Sequence, residues 1–201
     1  MNHNNLYPIF LKLHQLNILL VGAGKVGAEK LHSILNNSPE SRVTIIGDKI
    51  SDEVGRIAVQ NWNVRLTQRK FLLSDLNHAD IVFLATNDHQ LHKSIVKELR
   101  GRKILVNVAD TPELCDFYLG SIVQKGHLKI GISTDGRSPT VAKRLREYLE
   151  DIIPDQINRL ISNLNGIRNN LKIEFDEKVK LLNEYTQSLL IEKHNEQYRK
   201  N

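Results

Sequence analysis

Cysteine is nearly absent from this chain. Cys115 stands alone among 201 residues, so no internal disulfide can brace the fold, and the chain suits a reducing compartment. Aromatic residues are also scarce, at 5%, and no basic run interleaves with them, which argues against a nucleic-acid partner. No apolar run approaches the ~18 residues that span a bilayer. Met1-Asn2-His3-Asn4-Asn5 lacks the basic-then-apolar order of a leader. A cytoplasmic protein with no membrane partner is therefore expected. Internal repeats and low-complexity segments are missing too. What remains is ordinary for a globular chain, with 40% hydrophobic and 25% charged residues, enough for one domain or one plus a small appendage. The net charge of +5 admits an anionic ligand without choosing its kind.

Against this background one segment is specific. Asn17-Ile18-Leu19-Leu20-Val21 is an apolar strand running into Gly22-Ala23-Gly24-Lys25-Val26-Gly27, and Ala28, Leu31 and Leu35 then continue at helical spacing. This is the G-x-G-x-x-G dinucleotide fingerprint in its proper strand-to-helix context. Gly22 permits the turn, Gly24 lets a pyrophosphate approach the backbone, and Gly27 allows close helix-strand packing. Arg42 to Ile46 reads as a second strand, followed by Asp48, placed for the ribose hydroxyls. A carboxylate there favours NAD over the 2′-phosphate of NADP, although Lys49 beside it pulls the other way.

Further strands are expected at Val64-Arg65-Leu66, Ile81 to Ala85 and Ile104 to Val108. Helices are expected over Asp52 to Gln60 and from Asp88 to about Arg100, the latter with Ile95, Val96 and Leu99 facing inward. Alternating strands and helices imply an α/β fold with a Rossmann-type parallel sheet. Its ligand loops should converge beyond the strands' carboxyl ends: Gly22 to Gly27, Gly47-Asp48, Thr86-Asn87-Asp88, and Asn107 to Asp110. Tyr7 to Leu11 is expected as an edge strand, since Pro8 cannot donate to a ladder.

The pattern changes after Pro112. Phe117 to Val123 and His127 to Ser133 flank Gln124-Lys125-Gly126 as an antiparallel hairpin. Ser138-Pro139 supplies a helix cap and first-turn proline. From Pro154 onward Ile157, Leu160, Ile161, Leu164 and Leu171 share a helical face. Val179, Leu182, Tyr185 and Leu189 resume it after a break near Asn169-Asn170, and the polar end 192–201 is expected to fray. The expected division is 1–112 for nucleotide binding, 113–145 for a hairpin region, and 146–201 for a helical domain.

Four segments in order, the glycine fingerprint, Ala85-Thr86-Asn87-Asp88, Asn107 to Phe117, and Ile132-Ser133-Thr134-Asp135-Gly136-Arg137-Ser138-Pro139, resemble those of precorrin-2 dehydrogenases, the family of the N-terminal part of siroheme synthase. The likeness is strong over residues 5–150 and loose beyond. Asp135 stands where a glycine is common, and Gly47-Asp48 replaces a more usual Ala-Pro. The resemblance implies oxidation of precorrin-2 to sirohydrochlorin with NAD⁺ as hydride acceptor, in a homodimer whose hairpin region helps form the interface. Some members also insert Fe²⁺ into the product. It further implies cofactor contacts from Gly22, Gly24, Lys25, Val26, Gly27, Asp48, Thr86 and Asn87.

Removing two hydrogens needs a proton acceptor as well as a hydride acceptor. Asp110, at the end of a strand, matches the family's proposed base, although an Asp before Thr111-Pro112 also suits a turn cap. A tetrapyrrole rich in carboxylates calls for cations. Arg137, Lys143, Arg144 and Arg146 surround the helix start, and Arg137 and Ser138 lie in the matching motif. The alternative for these charges is a solvated helix face. Ser133 and Thr134 are implied to lie near substrate, or else simply end a strand. No metal site is expected. His89 and His92 read as surface residues, Cys115 and Trp62 as packing ones. A nucleotide-sensing regulatory module of a channel or transporter is the rival reading, which would bind nucleotide without turnover.

Overall fold

The computed structural model describes residues 3–187, so Leu189 and the tail 192–201 lie outside it, as do Met1 and Asn2. The chain forms two compact units, the first ending at Leu119 and the second starting at Gly120.

In the first unit five strands, β1 (Asn17–Ala23), β2 (Arg42–Ile50), β3 (Val64–Gln68), β4 (Ile81–Leu84) and β5 (Leu105–Val108), make a parallel sheet of order β3-β2-β1-β4-β5. Alternation along the strands divides the core. Ile18 and Leu20 of β1, Val43 and Ile45 of β2, and Ile81 and Phe83 of β4 face one side, where α1 (Lys25–Asn37) and α2 (Asp52–Gln60) bring Leu31, Ile34, Val54 and Ile57. Leu19, Val21, Val82, Leu84, Val106 and Val108 face the other, covered by Ile95, Val96 and Leu99 of α3 (His89–Arg102). Burial on both faces explains the unbroken apolar runs of β1 and β4.

The β3–β4 crossover carries a single 3₁₀ segment, Leu73–His78, pinned by a two-pronged ion pair from Arg69 to Asp75 at 2.6 and 2.8 Å. So short a crossover leaves an open groove of about 550 Å³ on that side, lined by Thr44, Arg65, Thr67, Arg69 and His78 among others.

Three expectations are corrected here. Tyr7 to Leu11 forms no strand; its side chains are exposed, Tyr7 at 86%, and the segment leads only to a 3₁₀ turn, Leu13–Gln15. Pro8 removes a donor, and no strand bonds to this segment. Trp62 is 87% exposed rather than packed, because it sits in the tight turn between α2 and β3 where Asn63, not Trp62, points inward. Finally, β2 runs on to Ile50, so Gly47 and Asp48 belong to the strand and not to a loop after it.

In the second unit β6 (Ser121–Lys125) and β7 (Leu128–Ile132) form the antiparallel hairpin, turning at Gly126 with φ of 59°. Both strands are shorter at their outer ends than the apolar pattern suggested, and β6 runs two residues closer to the turn. Helix α4 (Pro139–Ile152) packs on β6, burying Ala142 and Val123. Two further helices, α5 (Ile157–Asn170) and α6 (Phe175–Thr186), break after Asn170 as expected. Asn158 of α5 accepts a 2.9 Å hydrogen bond from the His127 N–H, and Asp155 pairs with Lys125 at 2.7 Å.

Candidate active site

The carboxyl-end loops of the sheet are drawn together by backbone bonds that continue past the strands. The Ala85 N–H donates to the Val21 carbonyl at 2.8 Å, Ala109 to Leu84 at 2.9 Å, and Ser51 to Ala23 at 2.9 Å. Each fingerprint glycine meets a different constraint. Gly22 has φ of 111°, and a Cβ there would collide with the Ala85 carbonyl; a Cβ on Gly27 would strike the Gly22 carbonyl. Gly24 differs, because a side chain there would meet nothing within 4 Å. It precedes α1, whose first-turn N–H groups receive no side-chain cap. An open glycine before an uncapped helix start is a cradle that fits a dinucleotide's pyrophosphate.

Lys25 is exposed on the first turn of α1, and Val26 packs partly into the core. Asp48 is exposed, its carbonyl accepting from Gln68 Nε2 at 3.3 Å and its carboxylate unpartnered among the described residues. Gly47 lies against Ala23, where a side chain would clash. Thr86 and Asn87 follow β4, beside the fingerprint loop, and Asp88 caps α3 through the Leu91 N–H at 2.9 Å.

Asp110 follows β5 in the left-handed region, φ of 55°, exposed and accepting no hydrogen bond among the described residues. It does not cap its turn. That turn is held instead by Thr111, whose hydroxyl donates to the Ala109 carbonyl at 3.2 Å and whose carbonyl accepts from Leu114 at 3.1 Å. A left-handed non-glycine residue is strained and is held only by its surroundings.

Near Asp110 lies a polar group that reading the sequence missed. Lys30 Nζ, on α1, donates to Asn107 Oδ1 at 2.9 Å, and Asn107 Nδ2 donates to the Phe117 carbonyl at 2.8 Å. Burial pushes the Lys30 ammonium below the usual lysine range, opposed by the Cys115, Asp110 and Glu29 charges. Cys115 Sγ accepts from the Val108 N–H at 3.1 Å, and burial raises its thiol, which is the packed role expected of it. A polar side chain within the buried run Val106 to Val108 was itself the available signal, since buried amides have partners.

His92 corrects a further expectation. It is 1% exposed, not a surface residue, with Nε2 at 2.8 Å from Thr86 Oγ1 and Nδ1 without a partner. Burial, and next the neighbouring His89, lower its pKa. Its spacing from Ile95, Val96 and Leu99 placed it on the inner face of α3 all along.

In the second unit Thr134, Ser138 and Arg137 build one turn. The Ser138 N–H donates to Thr134 Oγ1 at 3.2 Å, which donates on to the Ser138 carbonyl at 3.1 Å, and Ser138 Oγ caps α4 through the Val141 N–H at 3.3 Å. Ser133 Oγ accepts from the Asp135 N–H at 3.2 Å. Asp135 and Gly136 are both left-handed, at φ of 55° and 72°, a conformation that favours glycine. The exposed Arg137 reaches Asp135 at 3.8 Å. By contrast, Lys143, Arg144 and Arg146 pair with Glu147 and Glu150 on their own helix.

Residues 9–121 match the family model described as putative NAD(P)-binding, and residues 125–152 that of the sirohaem biosynthesis protein central segment. The siroheme synthase of Pseudoalteromonas atlantica is 35% identical over 174 residues, 87% of this chain and 37% of that protein. That of Nitrosomonas europaea is 30% identical, over 84% of this chain and 35% of its own. This chain thus spans little more than a third of these curated relatives. A solved precorrin-2 dehydrogenase, SirC, shares the fold with a TM-score of 0.70 at 24% identity, covering 89% of this chain and 88% of its own. With its fingerprint, its sheet order and a model matched over residues 9–121, more than half of the chain, the chain belongs to the putative NAD(P)-binding family, here followed by the sirohaem biosynthesis central segment.

Proposed function

We propose that the protein oxidises precorrin-2 to sirohydrochlorin, passing hydride to NAD⁺ and a proton to Asp110. The observation that carries this reading is the pairing of two features at one end of the sheet: the open cradle at Gly24 and an exposed, unbonded carboxylate at Asp110. NAD⁺, when bound, supplies the hydride acceptor. Gly22, Gly24, Lys25, Val26 and Gly27 hold its pyrophosphate, Asp48 its ribose hydroxyls, and Thr86 and Asn87 line the same cleft. Asp110, free of local bonds, takes the proton as the C–H electrons leave. Arg137, with Ser133, Thr134 and Ser138, engages substrate carboxylates; Arg137 is the cation of that turn not spent on a helix glutamate.

The unit ending at Leu119 serves as the nucleotide domain, and the unit starting at Gly120 serves as the association region of a cytoplasmic homodimer. Val141, Leu145 and Tyr148 give α4 an exposed apolar stripe at helical spacing, which supports association. Among the described residues no helix is long and apolar enough to cross a membrane.

Anaerobic absorbance spectroscopy with precorrin-2 and NAD⁺ tests the proposal, with Fe²⁺ added once the first reaction stops. NAD⁺-dependent appearance of sirohydrochlorin is expected. Nucleotide binding without turnover would replace this reading with the sensing module.

A further inference from the structure

We infer that His92 is a positioning residue of the nucleotide site: its Nε2–H occupies a lone pair of Thr86 Oγ1, so that the Thr86 hydroxyl hydrogen is left to donate to an oxygen of the dinucleotide. This rests on the reading of Thr86 as a cofactor contact.

The argument begins with the unpartnered nitrogen. His92 is 1% exposed, its Nε2 lies 2.8 Å from Thr86 Oγ1, and Nδ1 has no hydrogen-bond partner. A proton on Nδ1 would be a buried donor with no acceptor, whereas a bare lone pair there costs less. Nε2 therefore carries the hydrogen, and Thr86 Oγ1 is the acceptor. The groups that face the ring are His89, whose ring centroid lies 6.0 Å away, and Asp88; burial and His89 disfavour the imidazolium, which would also place a hydrogen on the orphaned Nδ1.

Thr86 Oγ1 receives a second donor, the Asp88 N–H at 3.3 Å. A hydroxyl has two lone pairs and one hydrogen. With both lone pairs engaged by protein donors, only the hydrogen remains. Thr86 is half-buried at the end of β4, next to the backbone against which Gly22 packs, so that hydrogen is available where the fingerprint loop would receive the nucleotide. His92 thus turns a hydroxyl that could accept or donate into a dedicated donor, suited to a ribose or phosphate oxygen, before any ligand arrives.

Two measurements on the full chain test this. In ¹⁵N NMR of the ligand-free protein at pH 7, His92 should show the neutral Nε2–H tautomer; an Nδ1–H tautomer or an imidazolium would overturn the inference, and no variant is needed to see it. NAD⁺ titrations then compare Thr86→Val, His92→Phe, the double variant and His92→Gln, each checked for folding by thermal melt. Thr86→Val and His92→Phe should each weaken binding about tenfold, with the double variant no weaker than Thr86→Val alone. His92→Gln keeps an N–H donor and should stay within about threefold of the wild type. Weakening by Thr86→Val with normal binding by His92→Phe would overturn the role of His92 and leave the Thr86 contact standing. Normal binding by Thr86→Val would remove both. Wild-type NAD⁺ binding without precorrin-2 oxidation would refute the proposed function and leave this inference untouched.

Discussion

Lys30 Nζ donates to Asn107 Oδ1 at 2.9 Å, joining the first helix of the nucleotide domain to the last strand of its sheet across 77 positions of sequence. Asn107 completes the bridge by donating to the Phe117 carbonyl, and Phe117 stacks edge-on to Phe83 with ring centroids 5.6 Å apart. Asn107→Ala would leave a half-buried ammonium and a carbonyl without partners, so a loss of about 2–4 kcal/mol is expected, read by urea unfolding.

Gly22 and Gly24 should respond in opposite ways to the same substitution. Gly22→Ala forces a side chain into the Ala85 carbonyl at a φ of 111° and should destabilise the fold by at least about 3 kcal/mol. Gly24→Ala meets nothing, so its stability should stay within about 1 kcal/mol of the wild type while NAD⁺ affinity falls by about tenfold or more. Thermal melts alongside calorimetric titration separate the two effects.

Asp110→Asn should fold normally, because asparagine tolerates the left-handed backbone that Asp110 occupies. NAD⁺ binding should be unchanged and the oxidation rate should fall by about a hundredfold or more. A full rate with normal folding would remove Asp110 as the base.

Stability should fall on mild acidification, and His92 gives the sign. Its folded pKa lies below the ordinary 6.5, chiefly through burial. As pH drops below about 6.5 the unfolded chain takes up a proton that the folded chain refuses, so stability falls with pH until the folded value is passed. Denaturant midpoints from pH 7.5 downward should decline less steeply in His92→Phe than in the wild type.

The sheet was legible because its strands are buried on both faces and its helices carry apolar stripes; β1, α2 and α4 begin where the apolar period and the capping residues place them. Tyr7 to Leu11 misled because an apolar stretch shows hydrophobicity but not a pairing partner. Trp62 misled because residue size says nothing of direction in a two-residue turn. The glycine geometry was readable in kind, whereas the Lys30–Asn107 bridge and the His92–Thr86 contact join separate elements and need three-dimensional proximity to be seen. Asp135 could be flagged as unusual in sequence; that its position demands a positive φ emerges only from the backbone.

The thiol of Cys115 accepts from Val108 and lies within reach of the Val108 and Thr111 carbonyls at 3.2 and 3.5 Å, wedged under the turn that carries Asp110. Because it is the chain's one cysteine, a covalent thiol label has a single address. Its reactivity under native conditions therefore reports on the packing of that turn against β5, with no engineered probe.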